Sequence, residues 1–89
     1  MAGFGITATA PEGLSPFVRE VFDIVAKHTV FAWAVIAAQC RRAGVDPMQL
    51  NRDTLPMVVA FIAEGVGAFT SPAKAKQVQM ELAGLARLG

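Results

Sequence analysis

Phe17, Val21, Ile24, His28, Phe31 and Val35 recur at alternating spacings of four and three, the pattern of one helix face. Arg19, Glu20, Asp23 and Lys27 fill the opposite face. Asp23 and Lys27 stand four apart and are expected to pair. The polar stripe then stops. Thr29 to Cys40 carry no charge, and Val30, Ala34, Ala37 and Ala38 take the stripe's positions until Arg41. Ser15 and Pro16 suit an N-cap and a first helical position. Gly44 suits the left-handed residue that ends a helix, just after Arg41 and Arg42. The spacing therefore predicts one long helix from Ser15 to about Ala43. A surface helix keeps its polar stripe. One that loses it is expected to be covered on every side, by a partner or a second subunit.

Three further elements follow. Asp46-Pro47-Met48-Gln49 reads as a capped start, with Gln49 where a capping-box partner belongs; a helical turn reaching Asn51 is expected. A helix begins near Asp53 or Thr54, with Pro56 in its first turn. Its seam is Leu55, Val59, Ile62, Val66 and Phe69, and Glu64 is the only charge between Asp53 and Lys74. Gly65 and Gly67 either thin this helix for close packing or end it early. Ser71-Pro72 repeats the Ser-Pro start. The last helix runs to about Leu88, with Ala75, Val78, Leu82 and Leu85 as a narrow apolar stripe.

The expected fold is all-α: a small helical bundle of three main helices plus one short helical turn. Residues 1–14, rich in Gly, Ala and Thr, are expected to form a flexible or extended N-terminal arm. Residues 15–89 form a single helical domain. No internal repeat or low-complexity tract interrupts it.

Composition sharpens the suspicion about a partner. The 89 residues are 54% hydrophobic and 17% charged, against a usual charged share of about 25%. A chain this short buries a smaller fraction of its surface than a larger one. Self-association or docking into an assembly would hide the excess. A net charge of +1 leaves no electrostatic footprint for non-specific nucleic-acid binding. The first residues lack the basic and apolar regions of a signal peptide, and no apolar run reaches membrane-span length. With a single cysteine, Cys40, a cytoplasmic location is expected.

The candidate chemistry is sparse. His28 is the only histidine and lies on the apolar face. It is expected to be a core residue partnered by Gln39; a metal or haem ligand or a pH switch is the alternative. Metal-ligand spacing is missing around it, and no metal or cofactor is expected. Cys40 reads as a buried thiol, or as a reactive one if Arg41 and Arg42 lower its pKa. His28 and Cys40 would lie about 18 Å apart on one helix, too far for a catalytic pair. Glu64 is expected to face solvent, or to pair with Arg52, Arg41 or Lys27.

Small residues on the two apolar helices point to close helix approach. Val30, Ala34, Ala37, Ala38, Ala60, Ala63 and Gly67 are the expected self-association interface. The function expected is a protein–protein interaction module, a homo-oligomer (dimer) in assembly, docking or regulation, with a further protein partner. Two alternatives stand beside it. The last two helices could form a helix-turn-helix with Lys74, Lys76, Gln77 and Gln79 facing DNA, although arginine is absent from its early turns. A small apolar ligand could bind between helices near Trp33, Phe22 and Phe31. No nucleophile, base and orienting group assemble in the sequence, so an enzyme is not expected.

Overall fold

Helix α1 spans Pro16–Ala26. It starts where Ser15 Oγ accepts the Val18 N–H at 3.2 Å, and Pro16 occupies a position whose N–H has no helical use. The computed structural model describes residues 10–87. The first nine residues of the expected arm lie outside these, as do Leu88 and Gly89. Ala10 and Leu14 pack against the core.

The long first helix is not formed. Residues 27–31 make a turn, and a separate helix α2 spans Ala32–Arg42. The described residues thus hold four α-helices and one 3-10 turn, where three helices and a turn were expected. Side chains hold the break. Thr29 Oγ1 accepts the Phe31 N–H at 3.1 Å, a local bond that competes with helix continuation. Lys27 and His28 both reach Glu81. The gain is core formation. Bending lets Val18, Val21, Phe22 and Val25 share one core with Ala32, Val35, Ile36 and Cys40. Asp23 pairs with Arg19 at 3.6 Å, and the expected Asp23–Lys27 pair gives way because Lys27 turns to Glu81.

Helix α2 ends as its residues dictate. Gly44 has φ 78, Gly44 N–H donates to Arg41 O, and Val45 N–H donates to Cys40 O at 2.8 Å. That is the Schellman arrangement. Asp46 Oδ1 then accepts the Met48 N–H at 2.9 Å and opens the 3-10 turn Pro47–Gln49.

Helix α3 spans Leu55–Phe69 and helix α4 spans Pro72–Arg87. Leu55, Val59, Ile62 and Val66 of the expected seam are buried, but Phe69 is exposed because α3 ends there. Val78, Leu82 and Leu85 bury the stripe of α4, and Ser71 Oγ caps it by accepting the Lys74 N–H. Consecutive helices pack side by side, and α4 closes back onto α1. The most extensive contact is the α3–α4 hairpin. No helix among the described residues is long and apolar enough to cross a membrane.

Candidate interaction surface

Two large apolar side chains stand outward at the break after α1: Val30, which continues the polar stripe, and Phe31, which the break turns away from the apolar face. Val30 is 59% exposed and Phe31 39%. The end of α3 exposes Phe69, also at 59%. The two phenylalanines meet on the surface, with ring centroids 5.2 Å apart and planes tilted by 35°. Ala34 and Ala38, exposed and one turn apart on α2, extend the uncharged surface toward Arg41. Ala68 is exposed beside Phe69.

The expected interface residues divide among several places. Val30, Ala34, Ala38 and Ala60 are exposed. Ala37 and Ala63 are buried within the chain, at 6% and 3% exposure. Gly67 serves the chain's own α3–α4 packing, since a Cβ on it would lie 2.9 Å from Ala75 Cβ. Ala60 sits apart from Val30, in an open groove of about 390 Å³ between the first half of α3 and the second half of α4. Pro56, Val59, Gln79, Ala83 and Arg87 are among the other residues lining that groove.

The spacing places Phe31 on the apolar face of the first helix and Phe69 in the seam of the third, yet both are exposed. Phe69 had one readable sign: it directly precedes Thr70-Ser71-Pro72, where the helix stops. Phe31 had none, because its exposure follows from a break that no glycine or proline marks.

The remaining candidates are scattered. Phe22 lies in the core, Trp33 packs against it, and Phe31 joins Phe69, so these aromatic residues do not enclose a ligand site. Lys74, Lys76, Gln77 and Gln79 are exposed along the first half of α4. Glu64 is exposed, as expected, but it pairs with Arg42 at 3.3 Å and with none of the three expected partners. The Arg42 guanidinium also lies 4.9 Å from the Phe61 ring centroid.

The His28 side chain is 8% exposed and its Nε2 lies 3.3 Å from Glu81 Oε1. Gln39 is not its partner; Gln39 Oε1 accepts from Arg42 at 2.7 Å. His28 Nδ1 is buried without a hydrogen-bond partner. Among the described residues no three His, Cys, Asp or Glu side chains gather as a metal site. Cys40 is fully buried, and burial pushes its thiol up to about 11 against the opposing effect of Arg41, with Asp46 reinforcing the rise. The reactive-thiol alternative fails on that balance, since it needs a lowered pKa.

No family model, curated protein or solved structure matches the chain.

Proposed function

We propose that this chain is a self-associating helical module for assembly, docking or regulation, and that copies meet through Val30, Phe31, Ala34 and Phe69. The observation that carries the reading is the exposed Phe31–Phe69 pair. Single apolar residues on a surface are ordinary, whereas contiguous ones mark contact sites. Each phenylalanine offers a large apolar area at little conformational cost. Two copies related by a twofold axis would present the same patch to each other. The low charged fraction of the chain supports the same reading.

Light scattering across a concentration series tests it. The native chain is expected to approach twice its 9.4 kDa mass, and Phe69→Ser is expected to weaken association by roughly tenfold or more. A native chain that stays monomeric into the millimolar range overturns the reading.

A further inference from the structure

The turn between α1 and α2 lacks the residues that usually break a helix. From Phe17 to Ala43 there is no glycine or proline, and the apolar spacing runs straight through. The helical backbone lapses at the turn, where Phe31 has ψ 27, and holds on either side of it. Thr29 N–H donates to Val25 O at 3.2 Å, four residues back, and Val35 N–H donates to Phe31 O at 2.9 Å. No turn residue has a positive φ. The bend therefore rests on side chains: Thr29 on the Phe31 N–H, and Lys27 and His28 on Glu81. It also carries costs. Phe31 stands partly in water, and His28 Nδ1 is buried without a partner.

A continuous helix from Pro16 to Arg42 would be about 40 Å long. Helices α3 and α4, with 15 and 16 residues, are only about 22 and 24 Å long. The continuous helix could not lay both of its ends against its own α3–α4 hairpin. Val18, Val21, Phe22 and Val25 would leave the core and open a vacancy of their own shape. A second copy, straightened in the same way, would offer the identical vacancy.

We infer that residues 27–31 are a hinge through which two copies of this chain exchange α1, each α1 seating against α4 of the other copy. This goes beyond the surface patch and does not depend on it. The exchange remakes every core contact of α1, so its balance is set by the hinge and by the cost of association. The passage between forms requires α1 to leave the core, which makes interconversion slow.

The test is refolding at high concentration, followed by light scattering after dilution. The native chain is expected to give a dimer that persists for hours after dilution and survives Phe69→Ser. Thr29→Ala removes the bond to Phe31 and raises helix propensity, and is expected to enrich the dimer roughly tenfold. Val30→Pro disfavours helical backbone at Thr29 and is expected to abolish the dimer while circular dichroism stays native. Dimers refolded from mixed isotope-labelled and unlabelled copies should show intermolecular NOEs between core methyls of α1 and α4. A dimer that dissociates within seconds and vanishes in Phe69→Ser overturns the exchange and leaves the surface reading standing. Absence of any dimer, in the native chain and in Thr29→Ala, overturns both. If Val30→Pro fails to fold, Thr29→Ala and the NOEs decide, and missing intermolecular NOEs overturn the exchange.

Discussion

Gly65 of α3 faces Val35 of α2 so closely that a Cβ on the glycine would lie 2.8 Å from Val35 Cγ1. The same atom would meet Gln39 Cγ at 3.1 Å and Gln39 Nε2 at 3.2 Å. Carbon atoms pack best at about 3.5–4.0 Å, so the missing side chain sets how near the two helices come. Alanine gains about 1 kcal/mol over glycine in a helix interior. Forcing a methyl into a filled core costs about 1–3 kcal/mol, and Val35, only 2% exposed, has little room to retreat. Gly65→Ala is expected to destabilise the fold by about 1 kcal/mol net. Gly84 in α4 has nothing within 4 Å of the same position, so Gly84→Ala should stabilise by up to about 1 kcal/mol. Urea denaturation of the two variants measures the contrast, and equal gains would mean that α2 and α3 have slack between them.

That contrast marks what the chain's pattern reveals and what it conceals. Ser15, Gly44, Asp46 and Ser71 announce element ends through local backbone chemistry, and all four act as that chemistry dictates. The break between α1 and α2 is held locally by Thr29 on the Phe31 N–H, a bond with no distinctive sequence sign, and by Glu81, more than fifty residues away, which no local pattern contains. The all-helical fold was therefore legible while the helix count was not. The same break shapes the candidate surface. Phe31 points outward because the helix bends, and Phe69 is exposed because α3 stops beneath it. Ala37, Ala63 and Gly67 looked equally suited to an interface, yet the chain buries or packs them itself. Small residues record close approach without recording which helix approaches.

Glu81 draws two partners of unequal worth. The Lys27 side chain is 61% exposed, and exposed pairs contribute little. The His28 ring is 8% exposed, so losing its acceptor leaves a buried donor unpaired, at about 1–3 kcal/mol. Glu81→Leu keeps helix propensity nearly constant and is expected to cost about 1–2 kcal/mol. Lys27→Ala is expected to cost less than about 0.5 kcal/mol. Chemical denaturation separates the two, and equal losses would place the value of Glu81 in the lysine pair.

The start of α1 gives a smaller, cleaner effect. Ser15 Oγ satisfies the Val18 N–H from an exposed position, so its removal disturbs no packing. Ser15→Ala should lower stability by about 1 kcal/mol, and Ser15→Asp should largely restore it. Thermal denaturation reads both, and an unchanged midpoint in Ser15→Ala would show that α1 is held by its core contacts alone.

Cys40 links burial to pH. Its thiol ionises at about 11 in the folded chain against an ordinary 9.0, because burial disfavours the thiolate more strongly than Arg41 favours it. A raised pKa means that the folded chain holds its proton after the unfolded chain has released one. Stability from this group is complete below pH 9 and declines as pH rises from 9 to about 11, a loss on the order of 2 kcal/mol. Cys40→Ala lowers stability at neutral pH by opening a small cavity, but it should flatten the slope between pH 9 and 11 relative to the native chain. All other groups are common to the two proteins and cancel in the comparison. Denaturant titrations at half-unit pH steps provide the measurement. Thiol labelling gives an independent reading: at pH 8 an aromatic disulfide reagent should modify folded Cys40 only as fast as the core opens, and should react at once in denaturant. Equal slopes for native and Cys40→Ala, or immediate labelling of the folded chain, would mean that the thiol is open to solvent.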